Sequence, residues 1–474
     1  MTDVPSPQLV RLVLLVIITA SGCGRGGEQP PIFTPHHPAL KKLSNGMELM
    51  LIEDHEFPTA QLQFFIRGGT VYDPPGKEGL ASIAMQAIRL GGAIGRTPDQ
   101  IEEDLEFVGA SLEMGTSSEF ESVSLSLLAK DLDQGIDILF DLLRRPAFDS
   151  SRFQIVKARA KDSLLRDREE PFRLGSKEFG TFVYGEASPW GRQPTPESID
   201  RIDMEDVRRF YDNSIFPDRI LVAASGDFAE AEFVAKIESR TREWSQAGWN
   251  PPVLSPVSEK FEKGAEIVPR KALTQATILV GHLGAKRTNP DKFPLLVMNF
   301  ILGGSGSLTS RLGEEIRSSS GKAYSVWSDF GFGKDYGLFR AVAQTSIENT
   351  EWVVKKMAEM IRAAVEKTDF SKEEVDAAKR AMLRSLVFDF ETRFSQVKEQ
   401  ARFHLWGYPE DYLVLFQKKI AAISKKDVER VARQYLHPDG LKVLVVTDEK
   451  ELEKMRAALA PWAVGGNVAV RRFE

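Results

Sequence analysis

The side chains best suited to metal or nucleophile chemistry, histidine and cysteine, are scarce in this chain. It has six histidines among 474 residues, and only His36 and His37 lie within five residues of each other. A zinc site that takes two histidines from one helix needs H-x-x-E-H or H-E-x-x-H, and neither motif occurs. The single cysteine, Cys23, excludes a multi-cysteine zinc or iron–sulfur site. A site of carboxylates alone stays open, but no motif indicates one. We therefore predict that this chain binds no metal or other cofactor.

Arg317 and Tyr324 form a second pair of chemically useful residues, seven positions apart in EEIRSSSGKAYSVWS. A guanidinium offers several fixed N–H donors to a peptide carbonyl or carboxylate. A tyrosine hydroxyl can donate to an oxygen that gains negative charge during a reaction. We expect residues 318–321 to end a helix, so that Tyr324 begins a strand. Taken alone, the pair also fits a solvated charge and a half-buried strand residue.

Two copies of one structural unit must position these residues. Two pairs of segments repeat at offsets of 221 and 222 residues: 202–227 with 423–448, and 148–164 with 370–386. Each copy of the first pair is typical of a capped helix, a Pro-Asp turn and a buried strand. The second pair aligns Lys157 with Lys379. Two matches at nearly one offset indicate a duplicated domain.

The order of elements within each copy predicts the fold class. Asn45-Gly46 lies between two strand-like runs and predicts a hairpin, because both turn positions need positive φ. Strands come first and helices follow, which favours α+β layers over strict alternation. We expect a tandem duplication of a two-layer domain, in which each copy is a mostly antiparallel sheet with helices on one face. The predicted segments are a signal peptide (1–22), a lipidated tether (23–38), an N-terminal domain (39–247), a Pro-rich linker (248–260), a C-terminal domain (261–465) and a tail (466–474).

The amino terminus has the composition of a targeting signal. Arg11 precedes the apolar run LVLLVIITA, which is shorter than the roughly 20 residues of a membrane-spanning helix. The small residues before Cys23 are similar to a bacterial lipobox, whose cysteine is diacylated, and a Gly- and Pro-rich stretch that suits a flexible tether follows. A plain cleaved signal with an incidental cysteine is the alternative. We predict a lipid-anchored protein of the cell envelope on the periplasmic side, with Gly24 favouring the outer membrane.

Residues 76–92, GKEGLASIAMQAIRLGG, resemble the motif helix of the pitrilysin/insulinase family of zinc peptidases. In that family H-x-x-E-H follows G-L-A. The pattern puts the motif's His, Glu and His at Ser82, Met85 and Gln86, and the family's third zinc ligand at Ser163. Serine and glutamine are poor zinc ligands, and methionine cannot accept a proton. The resemblance therefore implies that all four positions have lost their function, and it disfavours a stand-alone zinc peptidase.

The second copy keeps the family's carboxyl-terminal pattern. Residues 303–328 resemble its Gly-rich loop, S-R-L, I-R and G-x-A-Y-S-V. In active relatives an arginine and a tyrosine, here Arg317 and Tyr324, reach the substrate at the zinc of the other half. The resemblance covers about residues 38–465 and implies two α+β domains in a half-shell. In some branches of the family two such chains close a chamber, and only one of them carries zinc.

These expectations combine into one hypothesis and one alternative. The chain would be the non-zinc subunit of a heterodimeric metalloendopeptidase, inactive by itself. It would bind peptide or unfolded protein along a sheet edge and present Arg317 and Tyr324 to the zinc of a family paralogue. The alternative is an inert scaffold or a peptide-binding lipoprotein of the same fold. With 62 basic and 68 acidic residues the formal charge is −6, which gives no support to a nucleic-acid partner.

Overall fold

The structure is a computed structural model that describes residues 33–248, 250–304 and 309–473. The strands are β1 Leu40–Lys42, β2 Glu48–Glu53, β3 Thr59–Arg67, β4 Ser111–Thr116, β5 Phe120–Leu128, β6 Ile220–Gly226, β7 Gly264–Arg270, β8 Gln275–Leu283, β9 Ala285–Lys286, β10 Ser325–Phe330, β11 Phe332–Gly333, β12 Leu338–Ser346, β13 Lys442–Asp448 and β14 Ala469–Val470. The helices are α1 Leu80–Leu90, α2 Pro98–Phe107, α3 Leu132–Arg144, α4 Ser150–Glu169, α5 Pro171–Tyr184, α6 Pro196–Asp200, α7 Met204–Ser214, α8 Glu230–Thr241, α9 Lys292–Leu302, α10 Thr350–Glu366, α11 Lys372–Asp389, α12 Arg393–Leu405, α13 Tyr412–Ala422, α14 Lys425–Tyr435 and α15 Leu452–Leu459.

Two six-stranded sheets repeat one topology over five of their six strands. The first has the order β1-β2-β6-β3-β5-β4, and the second, read from its matching edge, has the order β14-β7-β13-β8-β12-β10. In both sheets one inner pair is parallel, β2 with β6 and β7 with β13, and the strands on the far side of β6 and β13 pair antiparallel. The sheets differ at the opposite edge, where β1 pairs antiparallel with β2 but β14 pairs parallel with β7. The predicted fold class, a duplicated α+β domain with mostly antiparallel sheets, is confirmed.

Local sequence signals explain several of these elements. The Asn45-Gly46 hairpin joins β1 to β2, but of the two residues only Gly46 has a positive φ, 84°, because the loop from Leu43 to Met47 is longer than a two-residue turn. The buried Asn45 side chain donates to the Thr241 carbonyl at 2.9 Å, which ties the turn to the end of α8. The equivalent helices α7 and α14 both begin with a reciprocal capping box, built on Asp203 and Ser424.

A pair of lysines has the same structural role in both copies. Lys157 Nζ on α4 donates to the Ile202 carbonyl at 2.6 Å, and Lys379 Nζ on α11 donates to the Ile423 carbonyl at 2.8 Å. Each bond joins a long helix to the start of the capped helix that precedes the buried central strand. The repeat therefore extends from sequence to hydrogen bonding.

Each sheet is covered on its second face by a helix from the other half of the chain. On α5, Leu174 and Phe179 pack against the second sheet, on a face that includes Leu279 and Val446. In return, α12 packs Val397 and Ala401 onto the first sheet. Gly175 allows the close approach of α5, because a Cβ there would lie 2.8 Å from the Leu279 side chain. Within each copy, helices cover one face of the sheet, as predicted. The other face of each sheet is covered by a helix of the other copy.

The two ends of the described chain differ from the predicted division. Within the predicted tether, Phe33 exchanges hydrogen bonds of 2.6 and 2.7 Å with the buried Gln417 side chain on α13. Within the predicted tail, β14 pairs with β7, so the second domain extends past residue 465. Both segments are held because their backbone groups find partners. Cys23 and the signal peptide lie outside the described residues. Over the described ranges no helix has the length and apolar character needed to cross a bilayer.

Candidate functional site

Helix α1 carries three of the four degenerate motif positions, and its start is set by a buried carboxylate. Asp73 accepts hydrogen bonds from the backbone N–H groups of Gly79 and Ala81 at 2.8 and 2.9 Å. Burial raises the pKa of Asp73 to about 6, although the two hydrogen bonds by themselves lower it. Gly79 precedes the first helical residue with φ 101°, a left-handed conformation that suits glycine.

Ser82, Gln86 and Ser163 meet around one opening, which we name the α1–α4 cavity. It has a volume of about 340 Å³, and apolar side chains of α1, α4 and α6 form most of its wall: Ile83, Leu90, Val156, Ala160, Leu164 and Ile199. Met85 points instead into the first core and is fully buried. The structure therefore brings together three of the four predicted positions.

The residues at this site do not fit a zinc ion. Hydroxyl and amide groups are weak ligands for zinc, which prefers histidine, cysteine and carboxylate. The Gln86 amide also has another partner, since its Nε2 donates to the Met114 carbonyl of β4. Across the described ranges, no cluster of three or more His, Cys, Asp or Glu side chains could hold a metal ion.

The four histidines of the body lie at three places: His55 and His404 are apart from the others, and His282 contacts His437. His55 contacts Asp227 at 2.7 Å on the surface. His282 is buried, and its Nε2 accepts the backbone N–H of His437 at 3.1 Å. Burial lowers the pKa of His282 to about 3, so this ring is neutral at physiological pH. His404 lies 3.4 Å from Glu48. Within the described part of the chain, none of these histidines belongs to a group that could hold a metal ion.

Arg317 and Tyr324 are both exposed and do not line the α1–α4 cavity. Arg317 lies on a π-helical turn, Gly313–Ser319, and β10 begins at Ser325, one residue later than predicted. The Tyr324 N–H nevertheless already donates to the Gln344 carbonyl at 2.9 Å, while its side chain is 72% exposed. The backbone of Tyr324 is therefore fixed, and its ring projects into solvent.

One outer strand of each sheet, β4 and β10, has backbone acceptors that side chains of the chain already occupy. On β4, Arg89 Nε donates to the Leu112 carbonyl at 2.7 Å, next to the bond between Gln86 and Met114. On β10, Asn299 Nδ2 donates to the Ser328 carbonyl at 3.3 Å. Fewer backbone acceptors are left for an added peptide strand.

Arg159 also lines the α1–α4 cavity, and the motif analysis missed it. It lies on α4 four residues before Ser163, so both side chains face the same side of the helix. The spacing of four residues between Arg159 and Ser163 is visible in the sequence, but the family motif includes only the position of Ser163.

Comparisons with known proteins agree with this architecture. The family model for insulinase (peptidase family M16) matches residues 49–170, and the model for the peptidase M16 inactive domain matches residues 201–382. The "non-peptidase homolog YmxG" of Helicobacter pylori is 24% identical over 406 residues, 84% of this chain and 91% of that protein. The "uncharacterized zinc protease YmxG" of Bacillus subtilis is 21% identical over 412 residues, 85% of this chain and 96% of that protein.

A solved structure shares the whole fold. The peptidase M16 inactive domain from Pseudomonas fluorescens superposes with a TM-score of 0.78 at 20% identity, and the match covers 93% of this chain and all of that one. One family model matches within the first half, the other runs from α7 of the first half into α11 of the second, and the relatives align over most of their length. The chain is therefore a member of the insulinase family, peptidase family M16.

Proposed function

We propose that the protein is the metal-free subunit of a heterodimeric metalloendopeptidase. Its partner is a family paralogue that carries the zinc, and its substrate is peptide or unfolded protein. This chain contributes Arg317 and Tyr324 to the shared site. Lipidation at Cys23 anchors the complex in the cell envelope on the periplasmic side, at the outer membrane where the organism has one.

The free side chains of Arg317 and Tyr324 support this proposal. The acidic neighbours of Arg317 have other partners, since Glu315 pairs with Lys356 at 2.9 Å and Glu314 accepts from Ser319 at 3.0 Å. Among the described residues no carboxylate lies within ion-pairing distance of Arg317. An exposed tyrosine on a fixed backbone and an unpaired arginine suit contact with another molecule better than a role in the fold.

The two side chains have complementary roles at a peptide bond. The Arg317 guanidinium can hold a substrate carbonyl or carboxylate through two parallel N–H donors. The Tyr324 hydroxyl can donate to the substrate carbonyl oxygen as it gains negative charge. The partner's zinc would polarise the carbonyl and activate water. This chain would therefore orient the substrate and stabilise charge.

The test mixes the full chain with its purified zinc-bearing paralogue and an unfolded fluorogenic peptide. Turnover should require both chains. Tyr324→Phe should lower kcat by about 10²- to 10³-fold, the usual effect of removing one such donor, and should change KM little. Tyr336→Phe, at a half-buried tyrosine of the same half, is the matched control and should leave kcat unchanged.

A second pair of variants tests substrate positioning. Arg317→Ala should raise KM, whereas Arg384→Ala, at an exposed arginine of α11, should not. Equal turnover by the zinc-bearing chain alone would refute the shared site. Stoichiometric zinc binding and cleavage by this chain alone would refute the whole proposal.

The capped outer strands favour a second candidate, a catalytically inert scaffold. Side chains already occupy backbone acceptors on β4 and β10, where an extended peptide would add to a sheet. A scaffold would form the complex with the paralogue, and the Tyr324→Phe and Arg317→Ala variants would then support unchanged turnover. The same assay therefore separates the two functions.

A further inference from the structure

A cavity of about 420 Å³ lies between the loop after β3, the first residues of β5 and one side of α7. We name it the β3–α7 cavity. Among the described residues it shares no lining residue with the α1–α4 cavity, and neither Arg317 nor Tyr324 lines it. Its volume lies within the range of roughly 300–1,000 Å³ that is usual for ligand pockets. The half-buried rings of Tyr72 and Phe210 form part of its wall, so an organic ligand would find apolar surface there.

Glu121 lines this cavity with a carboxyl group that is only half satisfied. Its Oε1 accepts the Gly69 N–H at 2.7 Å, whereas its Oε2 has no hydrogen-bond partner among the described residues. The side chain is completely buried, and an unsatisfied buried acceptor is costly. Gly68 supplies the room for the carboxyl group, because a Cβ there would collide with both of its oxygens. A ligand that donates a hydrogen bond to Oε2 would remove this cost.

Two of the charged residues that line the cavity already have charged partners. The Asp206 carboxylate accepts from Lys77, and Arg209 pairs with Glu205 at 2.9 Å. These two pairs contribute little net charge to the cavity.

The remaining charged residues of the lining are Asp73, Glu121 and Arg219. Arg219 directs two of its N–H donors to the Gly248 carbonyl at 3.1 and 2.9 Å. With both carboxyl groups ionised, two negative charges face one positive charge, and a single negative charge is left. Burial raises the pKa values of Asp73 and Glu121 to about 6 and about 7, and a nearby positive charge would favour their ionised forms. A ligand with one positive charge and an N–H donor fits both the charge and the free acceptor.

We infer that the β3–α7 cavity binds a small organic amine in its ammonium form. Glu121 Oε2 accepts an N–H of the ammonium group, and the rings of Tyr72 and Phe210 contact the apolar part of the ligand. Aromatic faces also attract a cation. A metal ion fits less well, because the described part of the chain holds no group of three or more His, Cys, Asp or Glu side chains suited to one. This binding uses neither Arg317 and Tyr324 nor a partner subunit, so it stands apart from the proposed shared active site.

The test is isothermal titration calorimetry of the full chain at pH 8 with 2-phenylethylamine, which like lysine keeps its proton at that pH. The neutral analogue 2-phenylethanol should bind at least about tenfold more weakly, because a hydrogen bond to a charged group is the stronger one. The trimethylated ammonium analogue keeps the charge but has no N–H, and it should also bind more weakly than the amine. Equal affinity for the amine and the alcohol would overturn the inference. Displacement of the amine by equimolar Ca²⁺ would overturn it too, since the site would then be one for a metal ion.

Matched variants locate the site. Glu121→Gln keeps the size of the side chain but removes its charge, and it should lower the affinity for 2-phenylethylamine at least about tenfold. Glu113→Gln, at an exposed residue of β4, should bind normally. Asn213→Trp, at an exposed lining residue of α7, should fill the cavity and block binding, whereas Gln434→Trp, at the equivalent exposed position of α14, should not. Because Asn213 and Gln434 are exposed, both tryptophan variants should keep the wild-type unfolding temperature. Unchanged binding by folded Glu121→Gln or folded Asn213→Trp would overturn the inference.

Discussion

Replacing Glu121 with glutamine should stabilise the protein at pH 8 and have little effect at pH 4.5. Glu121 lies on β5 and is completely buried. One carboxyl oxygen accepts the Gly69 N–H at 2.7 Å, and the other has no hydrogen-bond partner. Burial is the largest cause that raises its pKa from 4.5 to about 7, and the nearby Asp73 adds to the effect. The folded protein therefore keeps a proton that the unfolded chain releases.

The size and direction of the effect follow from this difference in proton binding. Below pH 4.5 both states hold the proton, so the carboxyl group behaves like a neutral amide. Between pH 4.5 and about 7 the folded state binds more protons, so its free energy of unfolding falls as the pH rises. A difference of one pKa unit between the folded and unfolded states corresponds to about 1.4 kcal/mol of stability. A pKa raised from 4.5 to about 7 therefore corresponds to about 3 kcal/mol.

Urea unfolding of the full chain at pH 4.5 and pH 8, followed by tryptophan fluorescence, measures the difference. Glu121→Gln should raise the free energy of unfolding at pH 8 by up to about 3 kcal/mol and flatten the pH dependence. Glu113→Gln, at an exposed residue of the neighbouring strand β4, is the control and should change neither value. Equal effects of Glu121→Gln at both pH values would show that Glu121 titrates normally and would refute the reasoning.

Two further predictions test the cross-packed helices and the degenerate motif. Phe179→Ala, at the fully buried contact of α5 with the second sheet, should lower the free energy of unfolding by about 3–5 kcal/mol. Phe388→Ala, at a residue that is 77% exposed, is the control and should change it by less than about 0.5 kcal/mol. Equal losses in urea unfolding would contradict the packing. The combined variant Ser82→His, Gln86→His and Ser163→Glu should gain one zinc per chain by elemental analysis, since these positions share one cavity, and a variant lacking only Ser163→Glu should bind much more weakly. Failure of the triple variant to bind zinc while folded would show that the positions do not converge.

Local patterns made much of the fold predictable. The Asn45-Gly46 turn needs positive φ at its glycine, and the hairpin forms there. The capped helices at Asp203 and Ser424 follow from side chains that bond to backbone three residues away. The repeated segments imply two copies of one topology, because similar sequence patterns favour the same helices, turns and strands. The motif positions Ser82 and Gln86 were predicted from the resemblance to the family pattern; because residues four apart on a helix share a face, both line one cavity.

Contacts between distant segments were not predictable in this way. Leu174 and Phe179 make α5 amphipathic, but their spacing does not say which sheet they cover, and they pack on that of the other half. The placement of Ser163 beside Gln86 came from the family pattern, because residue spacing alone does not join α4 to α1. The cavity between them and its unpaired Arg159 depend on three-dimensional packing, which no periodicity encodes.

Glu121 shows both contributions at a single residue. The alternating sequence FESVSLSLL by itself determines that Glu121 shares a strand face with Val123, Leu125 and Leu127, and that face is buried. Only the tertiary structure decides how a carboxyl group is tolerated there. Gly69 supplies an N–H, and Gly68 leaves the space, because a Cβ at Gly68 would lie 2.4 Å from the carboxyl oxygen. The periodicity of a strand sets which way a side chain points, and residues far away in sequence set the environment that it meets.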